Sequence, residues 1–221
     1  VNRGAYYEEI KALARTKRDE YSVTTAAIGL ALVRDIYRDE GITLTKCPHK
    51  LRKVRAAYFI IDGEPHVLVN GRLPIEPRLF AECHELKHHY VDQHLARDGS
   101  LACQDVAWDS APVEEVGAEV FAAEFIFPEA EFRDLLQQLG LAHTGWTISQ
   151  VVELKRQCPA PVSYQFLTKR LEWFGLIQAG QFAGVQWKVR EEQIYGPPLY
   201  KRLLARRKAS LSSQGLPRRR S

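Results

Sequence analysis

The stretch "AECHELKHHYV", residues 81–91, sets His84, Glu85 and His88 in the spacing His-Glu-x-x-His. On a helix, residues four apart differ by ~40° around the axis and lie one turn apart, so His84 and His88 project from one face. Two imidazoles placed that way can share one Zn2+ at ~2.0–2.1 Å, with Glu85 beside them to act on the metal's water. The plainer reading is a polar surface helix, which leaves the spacing as a coincidence.

A catalytic zinc needs a third protein ligand, and two candidates compete. His94 completes the spacing of the longer His-x-x-x-His-x-x-x-x-x-His signature, in which a glycine lets the chain turn back to the metal. That position is Val91 here, a β-branched residue that takes positive φ only at a cost. If the helix continues, His94 lies ~120° around and ~9 Å along from His88, out of reach. The same signature carries a methionine-containing turn, and this chain has 0 Met. His94 therefore reads as a solvated histidine at a helix end. The other candidate lies in "VEEVGAEVFAAEFIFP", where Glu114, Glu115, Glu119 and Glu124 share one helix. Glu115 and Glu119 are four apart and so share a face, while Ala118 and Ala122 leave room for close helix approach. One of the two can ligate while the other hydrogen-bonds a ligand histidine and fixes its ring. A solvated acidic face is the bland alternative.

Outward from these two helices the chain reads as a mixture of helix and strand. Helices are expected over residues 5–16 and 23–38, the second from Ile28, Leu32 and Ile36. Residues 42–46 alternate like a strand, and two β-rich runs flank Asp62-Gly63, a hairpin signal. The motif helix is expected from Pro77 to about Gln93, followed by a polar connection over residues 93–112. Further helices are expected over 113–127, over 129–140, over 148–157 behind a Thr147/Gln150 capping box, and over 162–174 closing at Gly175. Residues 176–190 read as β-like, and beyond them the signal fades. Trp146 and Trp173 are core candidates.

At 221 residues and 45% hydrophobic the chain can build one sizeable core, or a core with a small module. The longest apolar run, "AAIGLALV", is too short to span a bilayer, and no signal-peptide layout opens the chain. Cys47, Cys83, Cys103 and Cys158 form no Cys-x-x-Cys pair, which argues against a disulfide framework or a thiolate metal site. A soluble, cytoplasmic protein without a membrane partner is the expectation. Eight of the 31 bases and none of the 27 acids follow Glu192, leaving residues 1–192 with 23 bases against 27 acids. The basic tail reads first as a solvated, disordered end, and second as a nucleic-acid contact, because clustered Arg and Lys neutralise phosphates.

"VLVNGRLPIEPRLFAECHELKHH" followed by "EEVGAEVFAAEFIFPEAEF" resembles the ImmA/IrrE family of zinc metallopeptidases. The resemblance is firm over residues 66–132, looser over 20–65 and 145–175, and absent beyond. It implies an α+β fold: a zincin-like metallopeptidase core with a small mixed sheet and an active-site helix, then a helix-turn-helix-like segment and a basic C-terminal tail. The corresponding domains are 1–140, 141–176 and 177–221. Matched residue by residue, it implies His84, His88 and Glu115 as Zn2+ ligands and Glu85 as the catalytic glutamate. Two positions depart from the pattern: Lys87 stands at a usual glycine and Glu119 at a usual asparagine, which suits Glu119 to a supporting role behind a ligand. The oxyanion donor is open among His89, Tyr90 and Tyr58. The strand His66–Val69 is expected to offer an edge to an extended substrate, with Asn70 as a turn or cap residue. The resemblance implies an intracellular endopeptidase that cleaves a helix-turn-helix repressor. The competing class is a peptidase-like regulator that binds a repressor partner or DNA without hydrolysis, as within a toxin–antitoxin pair.

Overall fold

A computed structural model describes residues 2–24, 26, 28–47, 54–96, 101–104 and 111–213, with backbone alone for 101–104 and 211–213. Its centre is helix α3, Ile75–Val91, which lies in the chain between the third and fourth strands of a four-stranded mixed sheet and packs against it. Strands β1 (Thr43–Cys47), β2 (Val54–Ile61), β3 (Glu64–Asn70) and β4 (Leu101–Gln104) lie in the order β1-β3-β2-β4. β1 runs parallel to β3, while β2 is antiparallel to both β3 and β4. The β2–β3 hairpin closes at Asp62 and Gly63, with φ of 51° and 87°, opposite the Ile61/Glu64 pair. Both turn residues sit in the left-handed region that a two-residue hairpin loop requires, which Asp tolerates and Gly adopts freely.

The helices form the other layer. α1 (Arg3–Glu20) begins at an Asn2 cap whose side chain accepts from the Gly4 and Ala5 N–H groups. α2 (Leu30–Asp39) buries Val33, Ile36 and Tyr37. α4 (Gln93–Ala96) is a single turn after α3. α5 (Val113–Ile126) packs against both α1 and α3, with Ala118 and Ala122 fully buried at its contacts. α6 (Glu129–Gln138), α7 (Ile148–Gln157), α8 (Tyr164–Trp173), α9 (Trp187–Tyr195) and α10 (Leu199–Ser213) complete the chain. The capping box opens α7 as expected: the Gln150 N–H donates to Thr147 Oγ1 at 3.3 Å, and the Thr147 N–H donates to Gln150 Oε1 at 2.8 Å. The core runs through Phe121, Phe125, Phe127 and Phe132 to Val151, Leu154, Leu167 and Leu171, so α7 and α8 share one apolar interior with α3 and α5.

Several expectations need correction. The first two helices run 3–20 and 30–39 rather than 5–16 and 23–38. Ile28, counted as a helical position, is buried from an extended segment ahead of α2. The polar connection after α3 contains the strand β4, and its residues 97–100 and 105–110 lie outside the described residues. The β-like stretch 176–190 is a run of turns leading into α9. Gly180 and Gly184, each at φ 73°, break the extended chain, while Phe182 and Trp187 serve as anchors. Trp187 stacks on Tyr164 with ring centroids 4.8 Å apart. Trp146 is core, its indole N–H bonded to the His143 carbonyl at 2.7 Å, whereas Trp173 is exposed beneath Lys11. The basic tail is helical through residue 213, and Arg218–Arg220 fall outside the described residues.

Candidate metal centre

Every residue of α3 from Ala81 to His89 is buried, and six of them are polar: Glu82, His84, Glu85, Lys87, His88 and His89. A buried polar side chain costs free energy unless it is hydrogen-bonded or paired, so this helix is not the surface helix of the plain reading. Its polar groups face three different neighbours.

His84 and His88 turn their rings toward each other, with Nε2 atoms 3.1 Å apart. Glu115, in the first turn of α5, closes the triangle from the neighbouring helix: Oε2 lies 3.3 Å from His84 Nε2, and Oε1 lies 3.5 Å from His88 Nε2. Ligand atoms ~2.05 Å from a tetrahedral ion stand roughly 3.3 Å from one another. The three donors therefore already outline one face of such a tetrahedron, and they are the one His/Cys/Asp/Glu group found to suit a metal ion among the described residues. Burial works to raise the Glu115 carboxyl, but the hydrogen bond and charge of His84, then the charges of His88 and Lys87, outweigh it and hold it below its ordinary value.

His88 is oriented from behind. Its Nδ1 meets Asp92 Oδ2 at 2.6 Å, one turn further along at the C-cap of α3. Burial lowers the His88 pKa against the pull of Asp92. Asp92 is itself held below its ordinary value, because bonds to His88 and Lys87 outweigh its burial. A neutral His88 donating Nδ1–H to an ionised Asp92 has its Nε2 lone pair free, the tautomer a metal requires. Asp92 was not singled out in the sequence, although an acid four residues after a candidate ligand shares its helix face.

Glu85 stands apart from these pairs. It is 0% exposed, and neither carboxylate oxygen has a hydrogen-bond partner among the described residues. Burial first, and the Glu115 charge second, push its pKa well above the ordinary range, against a smaller lowering from the nearby Tyr58 backbone. A buried carboxyl with two free oxygens beside a triangle of metal-type donors is the arrangement expected of a proton carrier for a water held there. The residues present thus fit a metal ion, by donor chemistry, by spacing and by this orphaned carboxyl.

The remaining assignments divide. His94, on α4, is exposed and belongs to no metal-type group. Glu119 faces α8, with Oε2 3.3 Å from Lys169 Nζ, and the support expected of it behind a ligand histidine is given to His88 by Asp92. Tyr58 Oη and His89 Nδ1 meet at 3.2 Å, and His89 Nε2 faces Glu40 at 3.6 Å, while Tyr90 packs on Phe121 below Lys17. Tyr58 and His89 thus occupy each other rather than waiting as free oxyanion donors. Asn70 is a turn residue, its Oδ1 accepting the Arg72 N–H at 3.0 Å. The His66–Val69 strand has no free edge, since β3 is paired on both sides. In α8, Gln165 and Trp173 are exposed and Thr168, Lys169 and Glu172 on the same face are half-buried, so one face of the helix remains open to solvent.

Fold and site together define an α+β domain in which two packed helices present a His-His-Glu cluster beside a buried glutamate. Residues 38–171, more than half of the chain, match the M78 peptidase family model, described as the IrrE N-terminal-like domain, and the chain belongs to that family. No curated protein matches the chain. α1, α9 and α10 lie outside the matched span. Among the described residues, no helix is long and apolar enough to cross a membrane.

Proposed function

We propose that the chain is a zinc-dependent endopeptidase. The observation that carries this is the set of 3.1, 3.3 and 3.5 Å separations among His84, His88 and Glu115, with the unpartnered Glu85 beside them. His84, His88 and Glu115 would hold the ion and Asp92 would keep His88 in its ligating tautomer. Bound there, zinc supplies a Lewis acid that polarises a peptide carbonyl and brings the pKa of a water toward ~7. Glu85 takes the proton released as that water attacks the carbonyl carbon, then delivers it to the amine nitrogen as the C–N bond breaks. The second water proton leaves with the new carboxyl group and passes to the amine, so the products are a carboxylate and an ammonium. A carboxyl whose pKa is raised by burial holds a proton more readily than an exposed one, which suits it to receive and return one.

An extended peptide needs a strand edge close to Glu85. β2 runs past it at Tyr58, and β4 is the outer neighbour of β2 at that point, pairing Leu101 with Tyr58. The outer side of β4 therefore replaces β3 as the edge for β-addition. Within the family reading the substrate is a helix-turn-helix repressor in the cytoplasm, whose limited cleavage would separate DNA-binding from oligomerising parts. The test is incubation of the zinc-loaded chain with such repressors, with products identified by mass spectrometry. Cleavage by wild type and none by Glu85→Gln supports the reading, while equal cleavage by both removes Glu85 from the chemistry. A biological effect that survives Glu85→Gln favours the non-proteolytic regulator.

A second contact, with nucleic acid, has its own observation. Lys201, Arg202, Arg206, Arg207 and Lys208 of α10 are all exposed. At 100° per residue Lys201, Arg202, Arg206 and Lys208 lie across the axis from the exposed Leu199, Tyr200, Leu203 and Leu204, and Arg207 falls within that apolar arc. Clustered exposed bases suit phosphates, and Arg207 interrupts the apolar face that a lipid surface would need continuous.

A further inference from the structure

Lys87 lies between the two ligand histidines in sequence and has no exposed surface. Burying an ammonium costs several kcal/mol unless its donors are met. Its Nζ donates to Asp92 Oδ2 at 2.6 Å and to the Glu114 carbonyl at 3.0 Å, and lies 5.7 Å from the centre of the Tyr6 ring. Each partner adjoins the metal-type cluster. Asp92 Oδ2 is the same atom that receives His88 Nδ1. Glu114 immediately precedes Glu115 on the opposite helix. Tyr6 belongs to α1 and fills the space that Gly117 leaves on α5, where a Cβ would lie 2.6 Å from its hydroxyl.

We propose that Lys87 is a positioning residue for the metal centre. It ties α3 to α5 at the residues adjoining His88 and Glu115, and it fixes Asp92 so that His88 keeps Nε2 turned toward the ion. The inference rests on the reading of His84, His88 and Glu115 as metal ligands. With one ammonium setting both the separation of the helices and the angle of one ring, a small displacement of Lys87 moves two of the three donors together. The hydrogen bond from His88 alone leaves Asp92 free to swing about its own side-chain torsions. The second bond, from Lys87 to the same oxygen, removes that freedom. Tyr6 closes the group from the outside.

The test is zinc affinity by chelator competition, with the visible spectrum of the cobalt-loaded protein as a report of coordination geometry. Wild type, Lys87→Met, Asp92→Asn and Glu115→Ala are compared at a temperature where circular dichroism shows the metal-free protein folded. Lys87→Met and Asp92→Asn are each expected to weaken zinc binding about 10- to 100-fold and to change the cobalt spectrum. Wild-type affinity and spectrum in folded variants, even with lowered thermal stability, would overturn the proposal and leave Lys87 a structural residue. Should Lys87→Met fail to fold, Lys87→Gln, which keeps a donor but not the charge, takes its place, and wild-type affinity and spectrum in it would overturn the proposal. Wild type that binds neither metal would instead sink the metal-centre reading itself.

Discussion

Arg170 of α8 is 6% exposed and holds the C-terminal end of α5, the helix that carries Glu115 at its other end. Its guanidinium donates to the carbonyls of Ala123 and Phe127 at 2.8 and 2.7 Å, and lies 3.6 and 3.3 Å from Glu124 and Glu129. The Ala123 carbonyl also accepts the Phe127 N–H at 3.1 Å, and a buried cation at this helix C-terminus meets the negative end of its dipole. Replacing Arg170 with Met keeps the apolar stem and removes two charge-assisted bonds, each worth about 1.5–3 kcal/mol. The carboxylates retain other partners: Glu124 keeps Arg15 at 2.9 Å and Glu129 keeps Lys11 at 2.7 Å. The loss therefore falls near the lower end of the range for a broken buried pair, about 3 kcal/mol. For a chain of this size that corresponds to a fall in Tm of about 6–12 °C. The assay is thermal unfolding of metal-free Arg170→Met followed by circular dichroism, with a single transition expected in both proteins. A shift below about 3 °C would refute the clamp. Two separate transitions would show that residues 141–176 fold apart from the rest.

Gly117→Ala gains up to about 1 kcal/mol of helix propensity but sets a Cβ against Tyr6, at a typical overpacking cost of about 1–3 kcal/mol. It should destabilise wild type yet stabilise a Tyr6→Ala background, a change of sign readable by urea unfolding. Tyr21 donates to Glu40 Oε1 at 2.6 Å, and this bond, with Tyr90, Lys17 and His89, holds the Glu40 carboxyl below its ordinary value despite burial. A depressed carboxyl contributes stability above its unfolded value and loses it as pH falls through the folded one. Tyr21→Phe should therefore cost about 1 kcal/mol at pH 7 and progressively less below about pH 4, measured by urea unfolding at both pH values. In α10, Arg206→Glu with Arg207→Glu should weaken binding to duplex DNA and flatten its dependence on salt in a filter-binding titration, without altering Tm.

The sequence made the site more legible than the architecture around it. His-Glu-x-x-His on a helix and two glutamates four apart on another are local patterns, and helical geometry alone brings each pattern's side chains to one face. What sequence spacing could not show is which glutamate faces the histidines, because that depends on how α5 is rotated against α3. Ala118, Ala122 and Gly117 set that rotation, and it carries Glu119 toward Lys169. Asp92 has no local signal beyond its spacing of four from His88, and the motif helix, expected to run to about Gln93, ends at it instead. Strand β4 was hidden in a polar segment whose alternation is too short to register. The β-like reading of residues 176–190 failed because apolar anchors in turns mimic alternation when glycines separate them. Nothing local in the sequence reveals that Arg18 and Arg170 are buried, or that Arg18 reaches the Phe125 carbonyl at 2.6 Å across the core.

The measurement that bears most directly on this account is the zinc content per chain of wild type, Glu115→Ala and His94→Ala, purified and dialysed under matched conditions. The account expects about one zinc in wild type, a marked loss with Glu115→Ala, and no change with His94→Ala. Wild type that takes up no zinc when it is supplied, or a Glu115→Ala protein that holds zinc as tightly as wild type, would contradict it.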